Sequence, residues 1–444
     1  MDGLMAEGSK ISVPVAMAVG LGAIIGAGIF VLSGTAIALA GSDAIIAFIL
    51  VGIVALLVAV ELGELGAIMP KVKGASYSYI YNAFGSELGF ISGVLLYFSY
   101  ATSVSAIALG FGSYAASLAG LNVGDFSRYF SIAIIGILSV VNLIGIKKAA
   151  KVDSYLVTVK ILILILFIAF AFVAVFALGK GLSGHMSQIM PIGGIAGIFA
   201  ASVAIFFAYS GFQSISTFTS RIKGGARGAA KAIMYSVVIS IIIYVLVAIA
   251  LLIMLPSKNY TINADPLAFA LKAINAPLSL LVIVDIGALI ATASAVLAMI
   301  LSSSRILYQI SSDHLLPKVL RKYNEKNDVA TNGVILSAII GVVMLFSGNI
   351  FIIAAISNFG LLFSYLLSSF AVVHFRRIRK RASFKSPFYP YLPLAAIAGI
   401  MLLLVGMPRE SLVIGVLIVL SLIIVYYFLR EAKRKRVVKI RLFR

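Results

Sequence analysis

The sequence Gly20-Leu-Gly-Ala-Ile-Ile-Gly-Ala-Gly-Ile-Phe30 lies inside an apolar run that extends from residue 11 to residue 40. Its glycines weaken a helix, because each costs about 1 kcal/mol relative to alanine. A second apolar run contains Phe206-Phe-Ala-Tyr-Ser-Gly-Phe-Gln213, with a glycine and polar side chains near its centre. Unpaired backbone groups inside a bilayer are tolerated only where protein or a cavity covers them. Both runs are therefore predicted to be interrupted helices, with close packing of small residues as the alternative.

The composition of the whole chain requires a membrane. Of its 444 residues, 62% are hydrophobic and 11% are charged, whereas soluble domains carry about 25% charged residues. The chain has no cysteine, which excludes disulfides, thiolate metal sites and thiol nucleophiles. The first run lacks a small-residue cleavage site, so we interpret it as a span and not as a removed signal peptide.

Twelve apolar runs are long enough to cross a bilayer, since a spanning helix needs about 20 mostly apolar residues. They cover residues 11–40, 44–69, 88–118, 128–146, 152–178, 193–220, 229–255, 277–311, 329–347, 349–373, 388–407 and 411–430. The predicted fold is therefore an all-α integral membrane protein with 12 transmembrane helices.

The basic residues indicate the orientation of these spans. The net charge is +20. Of the 35 Lys and Arg residues, 29 lie in the N-terminus, in every second loop between the predicted spans, or in the C-terminal tail. Cytoplasmic loops carry such an excess, so both termini are predicted to be cytoplasmic in a cell-membrane protein. The basic tail, residues 431–444, is expected to lie against anionic lipid. No nucleic acid partner is expected.

The two interrupted runs are the first and the sixth, which is the pattern of a transporter built from two five-helix halves. Residues 11–178 and 190–373 would form an inverted repeat, residues 388–430 would add two helices, and residues 1–430 would be one transporter domain. Similarity between the halves lies in hydropathy alone. Free N–H groups at a helix break attract a carboxylate, and free C=O groups attract an ammonium. Such a site suits a zwitterion.

Three motifs resemble those of the amino acid–polyamine–organocation (APC) transporter family. Gly22-Ala-Ile-Ile-Gly-Ala-Gly-Ile-Phe30 is similar to its first-helix signature. Glu64-Leu65, Pro70, Gly74 and Tyr77-Ser-Tyr79 are similar to the end of its second helix and the following loop. Ser304-Arg-Ile-Leu-Tyr308, continuing to Asp313 and Pro317, is similar to the segment that closes its eighth helix.

The resemblance implies a secondary transporter that alternates access to a site between helices one, three, six, eight and ten. Backbone groups of both interrupted runs would bind the substrate, with Phe207 also at a gating position. The residues implied to bind substrate are Ile24, Gly26, Ala27, Gly28, Phe207, Ala208 and Ser210. Further candidates for the side-chain pocket are Tyr97, Tyr100 and Ser103 on the third helix.

Lys160 lies about 12 Å along the fifth helix from its inner end. A charged lysine at this depth costs at least about 3 kcal/mol unless it is paired or reaches the interface. The resemblance implies that its ammonium replaces a sodium ion, near the hydroxyls of Thr292 and Ser294. Lysine can gain and lose a proton, which favours proton coupling. The alternative is a side chain that reaches toward the cytoplasm.

Other ionisable residues inside the runs have open roles. Asp285 is a candidate for protonation or for a polar seam, and Glu64 for a structural or gating role. His185 and His374 are predicted in loops and His314 at a helix end, so neither a metal site nor a cofactor is expected. Gln213 stands where the family often has glutamate. Ser220-Arg221 replaces an acidic pair of the family, so its inner-gate pairing is not expected here.

The expected function is secondary active transport of amino acids or related amines, coupled to protons and independent of sodium. The alternatives are an amino acid or polyamine exchanger, a sodium-coupled symporter and a channel. A channel would need a continuous polar pore, whereas polar residues here cluster at the two interrupted runs. A membrane enzyme would need a reactive motif such as H-E-x-x-H, which the spans lack. The sequence does not fix which residues line the side-chain pocket, so the identity of the substrate stays open. A neutral amino acid is favoured.

Overall fold

A computed structural model describes residues 11–69, 75–145, 149–177, 179, 191–213, 215, 222–378 and 382–442. This part of the chain is almost entirely helical, because an apolar chain in lipid must satisfy its backbone hydrogen bonds internally. The helices are α1 (Val13–Ile24), α2 (Gly28–Ala40), α3 (Ala44–Ile68), α4 (Ala75–Phe84), α5 (Ser86–Leu118), α6 (Val123–Ile144), α7 (Ala149–Phe172), α8 (Gly194–Tyr209), α9 (Gly225–Met254), α10 (Pro266–Ala273), α11 (Leu278–Ser312), α12 (Thr331–Met344), α13 (Ile350–Arg377), α14 (Tyr391–Val405) and α15 (Arg409–Leu442).

Nine helices in the described ranges are long and apolar enough to cross a membrane, and α1 with α2 makes a tenth span if the pair is counted as one. The helices α12 and α14 are shorter, with 14 and 15 residues, and lie in the predicted runs 329–347 and 388–407. The prediction of an all-α, multi-pass membrane protein is confirmed. The count of twelve spans and the inverted repeat stay predictions.

The first apolar run is interrupted where its glycines predict. The helix α1 ends at Ile24, α2 begins at Gly28, and the two are bent by 50°. In the sixth run, α8 ends at Tyr209 and passes into a 3₁₀ turn that reaches Gln213. Residues 216–221 of that run, with Ser220 and Arg221, lie outside the described residues, as does His185.

The helices pack in two groups. The broken-helix group consists of α1, α2, α3, α8 and α9, and the frame group consists of α5, α6, α11 and α12. The helix α7 contacts α9 of the first group and α11 of the second, while α13 contacts α3 and α8 as well as α5. The helices α7 and α13 therefore connect the two groups.

A two-stranded hairpin lies between α11 and α12. Its strands β1 (Tyr323–Asn324) and β2 (Val329–Ala330) are antiparallel. In the turn, Asn327 donates its side-chain amide to the carbonyl of Leu143 at 2.9 Å, and Asp328 forms an ion pair with Arg305 of α11 at 3.2 Å. The hairpin thus joins the end of α6 to the end of α11 within the frame group.

The frame group depends on close approach between α5 and α6. A Cβ atom at Gly112 would lie 1.9 Å from the backbone oxygen of Ser127. One turn further along α6, the hydroxyl of Ser131 donates to the carbonyl of Ala108 at 2.8 Å. Only a residue without a side chain fits at this crossing.

We expect Gly112→Ala to lower the thermal stability of the purified protein, because the added methyl group forces α5 and α6 apart. Overpacking of this kind costs about 1–3 kcal/mol. Gly136→Ala on α6 is the matched control, since a Cβ there meets nothing within 4 Å. Thermal unfolding of the two variants in detergent measures the difference, and equal melting temperatures would contradict the packing of α5 on α6.

Candidate functional site

The interrupted ends of the first and sixth runs meet each other. A Cβ at Gly28 would lie 2.3 Å from the Cα of Ala208, and a Cβ at Gly211 would lie 1.9 Å from the backbone oxygen of Ala23. Glycine at these positions lets the two backbones touch. The predicted substrate-binding residues of both runs are therefore brought together at one place in the fold.

A tyrosine from α9 joins the two interrupted ends. The hydroxyl of Tyr244 lies 2.8 Å from the carbonyl oxygen of Ile24 and 3.0 Å from that of Ala208. Both carbonyls belong to the set predicted to hold the substrate's amino group. The ring of Tyr209 packs edge-on against Tyr244, with the ring centroids 4.9 Å apart. The hydroxyl has one hydrogen for two acceptors, so it donates to one carbonyl at a time.

Gly26 borders the least crowded part of the break. A Cβ at this position would meet nothing closer than the backbone oxygen of Ala23 at 3.7 Å and the Cβ of Ala295 at 3.8 Å. Gly26 is half-buried, whereas Ile24, Ala27, Phe207, Ala208 and Ser210 are buried. The break therefore has space for about one methyl group between Gly26 and Ala295 of α11.

The predicted coupling residues meet beside this space. Lys160 of α7 is buried, and its ammonium donates to the hydroxyl of Ser294 on α11 at 2.6 Å. Ser294 precedes Ala295, the α11 residue opposite Gly26. The hydroxyl of Thr292 donates to the carbonyl of Ala288 in its own helix at 2.7 Å. The structure thus brings Lys160 to one of its two predicted hydroxyl partners.

One face of α11, C-terminal to Ser294, has exposed residues that are small or polar, with Leu301 half-buried among them. Ala298, Ser302 and Arg305 are exposed at helical spacing along this face. Between Val413 and Phe428, by contrast, the exposed side chains of α15 are large and apolar except for Ser421, and they include Val416, Leu417, Leu420 and Ile424. A lipid-facing surface resembles the face of α15, and a small and polar face is typical of a water-lined cleft.

Aromatic and amide side chains surround the end of α8. The hydroxyl of Tyr365 on α13 donates to the backbone oxygen of Ser210 at 3.4 Å, and the side-chain oxygen of Gln213 accepts a hydrogen bond from Ser76 at 3.4 Å. Ser103 bonds to Ser357 of α13 at 2.7 Å. Tyr97 packs with Ala101 and Leu307 inside the frame group, while Tyr100 is buried.

Asp285 belongs to a separate polar cluster. Its carboxylate accepts a hydrogen bond from Ser117 of α5 at 3.2 Å, and Ser117 in turn accepts one from Lys272 of α10 at 2.8 Å. Asp265, just before α10, is also buried. Burial raises the pKa of Asp265, and the nearby charge of Lys272 opposes this increase. The partners of Asp285 in the described residues therefore come from α5 and α10. This arrangement corresponds to a polar seam, one of the two roles that the sequence allowed for Asp285.

Glu64 is held by an arginine. Arg376 of α13 donates to its two carboxylate oxygens from Nε at 2.7 Å and from Nη2 at 2.8 Å. The backbone N–H and the hydroxyl of Ser386 donate to the same carboxylate. The ring of Tyr389 lies 4.5 Å from the guanidinium carbon of Arg376. Glu64 thus ties α3 to α13 and to the segment before α14, which favours the structural or gating role.

Sequence reasoning missed three of these residues. Tyr244 carries the one polar side-chain group in Ile241-Ile-Ile-Tyr-Val-Leu246. A hydroxyl in the centre of an apolar span needs a hydrogen-bond partner, so the sequence did offer a signal for this residue. Arg376 and Tyr365 gave no comparable signal, because their partners lie far away along the chain. Among the described residues, no group of His, Asp and Glu could hold a metal ion.

The sequence matches known transporters along nearly its whole length. It is 29% identical to the methylthioribose transporter of Bacillus subtilis, over 86% of this chain and 85% of that one. It is 28% identical to the branched-chain amino acid permease BcaP of the same organism, over 94% and 92%. For the serine/threonine exchanger SteT of B. subtilis the identity is 26%, over 93% and 95%.

Comparison with protein families also identifies the chain as similar to transporters. The amino acid permease family matches residues 11–429. This range includes both interrupted runs and every helix from α1 to α14, so it covers the candidate site completely. The relatives are permeases and transporters and not enzymes. The chain therefore belongs to the amino acid permease family, within the APC superfamily.

Proposed function

We propose that this protein carries amino acids across the cell membrane by alternating access, coupled to protons and independent of sodium. The observation that supports the coupling best is the buried contact between Lys160 and Ser294, beside the space at Gly26. A fixed ammonium at this position places a positive charge where a sodium-coupled carrier would need an exchangeable cation.

The position of α7 explains how Lys160 acts on the break. A Cβ at Gly22 of α1 would lie 2.2 Å from the side chain of Val157, and Lys160 follows Val157 by one helical turn on the same face. In its charged form Lys160 donates to Ser294 and holds α7 against α11. Loss of its proton weakens this contact, because a charged donor bonds more strongly than a neutral one. Proton release would then free the broken-helix group to move.

The site favours a neutral amino acid. The described residues that touch the break are backbone groups, Tyr244, Ala295 and the aromatic end of α8. Glu64 is neutralised by Arg376, and Asp285 bonds to Ser117 beside Lys272 in a separate cluster, so neither acid is among the described residues at the break. One relative is named for branched-chain amino acids and another for serine and threonine. These names support a neutral substrate.

Uptake into proteoliposomes tests the coupling. We expect an inward proton gradient to drive uptake of leucine, isoleucine or serine, with no effect of a sodium gradient, and Lys160→Ala to abolish the response to protons. Arginine and methylthioribose belong in the same panel, because they represent a cationic substrate and the named substrate of a relative.

Lys231→Ala is the matched control, since Lys231 of α9 is exposed. Uptake that follows sodium and survives Lys160→Ala would overturn the coupling. Uptake that requires a trapped amino acid and ignores both gradients would show an exchanger instead of a symporter.

A substitution at Gly26 tests where the substrate lies. Gly26→Ala fits the backbone space but places a methyl group in the opening toward Ala295. We expect KM to rise more for leucine than for alanine, because the larger side chain meets the methyl group first. Competition of labelled leucine with unlabelled amino acids measures the change, and an equal effect on both substrates would place the side-chain pocket elsewhere.

The absence of cysteine allows the cleft to be probed directly. Ser302→Cys lies on the exposed face of α11, whereas Ser303 is fully buried. We expect a membrane-impermeant thiol reagent on the cytoplasmic side to modify Ser302→Cys quickly and Ser303→Cys slowly. Labelling of Ser302→Cys from the outside only would show that the assumed orientation is wrong.

A further inference from the structure

Two buried carboxyl groups on α3 have unequal partners. Glu61 and Glu64 are one helical turn apart, and their exposed fractions are 0% and 1%. Glu64 receives two bonds from Arg376 and two from Ser386, so its negative charge is compensated. Among the residues that the structure describes, Glu61 receives no hydrogen bond or ion pair from a cation.

The carboxyl of Glu61 has one partner in the described structure. Its Oε2 meets the hydroxyl of Ser369 on α13, and its Oε1 is buried without a hydrogen bond. The described ionisable side chains on the helices packed against α3, and Tyr389 beside them, are either engaged with other groups or exposed. The engaged ones are Arg376 with Glu64, His374 with Phe84, Tyr209 with Phe48, Tyr244 with Ile24, Tyr365 with Ser210, Tyr77 with Asp313, Tyr81 with Tyr77 and Tyr389 with Arg376, and Tyr79 also has an interaction. The exposed ones are Arg227, Lys231, Tyr235, Arg377 and Tyr391.

The protonated and ionised forms of Glu61 differ in how well the hydrogen bonds at this contact are satisfied. The hydroxyl of Ser369 also lies 3.2 Å from the backbone oxygen of Tyr365. If Glu61 carries a proton, Oε2–H donates to Ser369 and Ser369 donates to Tyr365, so each hydrogen has an acceptor. Oε1 is then a neutral carbonyl oxygen. If Glu61 is ionised, Oε1 is a buried charged oxygen without a donor, which is far more costly.

We propose that Glu61 is a protonated carboxylic acid in this conformation and that it gives its proton to water when α3 and α13 separate. This inference deepens the proposed function, since it adds a second proton site besides Lys160. The contact joins α3 of the broken-helix group to α13, which also packs on the frame group. Movement of α13 away from α3, together with the frame group, would therefore expose Glu61, and it would also require the pair between Arg376 and Glu64 to open. No atom other than the proton is transferred, and water accepts it.

Infrared difference spectroscopy tests the protonation state without transport. We expect the wild-type protein to show the carbonyl stretch of a buried carboxylic acid and Glu61→Gln to lose it. Glu325→Gln is the matched control, because Glu325 is exposed in the hairpin and its loss removes no such band. Ser369→Ala should keep the band and shift it, since the acid loses its acceptor; this variant decides the question if Glu61→Gln does not fold. An unchanged spectrum in Glu61→Gln, or in Ser369→Ala, would overturn the proposal.

Transport measurements test whether this proton is part of the cycle. We expect Glu61→Gln to retain substrate counterflow, which needs no net proton movement, and to lose accumulation driven by a proton gradient. Unchanged accumulation with loss of the infrared band would show that the proton is purely structural and would overturn the coupling role. If the wild type itself shows no proton-driven uptake, the proposed function fails, while the infrared result still decides the protonation of Glu61.

Discussion

The structure depends on the need to cover an interrupted backbone at the centre of a membrane protein. Between Ile24 and Gly28 the regular backbone hydrogen bonds of the helix are interrupted. Inside a bilayer, water is not freely available to replace them. The end of α8 lies directly on this break, and Tyr244 offers its hydroxyl to a carbonyl from each of the two ends. The glycines at the break, the close backbone contacts that they allow and the hydroxyl of Tyr244 therefore all serve to cover the interrupted backbone.

The ionisable residues of the membrane-spanning helices obey a related constraint, because a buried charge needs a partner. Each pairing joins different helices: Lys160 of α7 to Ser294 of α11, Asp285 of α11 to Ser117 of α5, and Glu64 of α3 to Arg376 of α13. A group that binds or releases a proton therefore changes how two helices are held together. In the proposed mechanism, this arrangement would link proton binding to helix movement without a separate transmitting element.

Local signals in the sequence were enough for part of the fold and of the site. Apolar runs predicted the helices, and the glycines near Gly26 predicted the interruption of the first run, because both effects arise within a few residues. The two helices that are too short for the span criterion, α12 and α14, show that run length overestimates helix length when turns are apolar. Arg376 was missed because its role depends on a partner 312 positions away, whereas the phenol of Tyr244 inside an apolar run was a local signal and only its partner, 220 positions away, was not.

The alternation of the two packed groups along the sequence has a consequence for biosynthesis. The helices α1 to α3 belong to the broken-helix group, α5 and α6 to the frame group, α8 and α9 again to the first, and α11 and α12 to the second. During synthesis the break in α1 thus enters the membrane long before α8 and Tyr244 exist to cover it. The groups that cover the break all come from α8 and α9, so until α9 is inserted the open backbone of the first run needs another protein or water as a temporary partner.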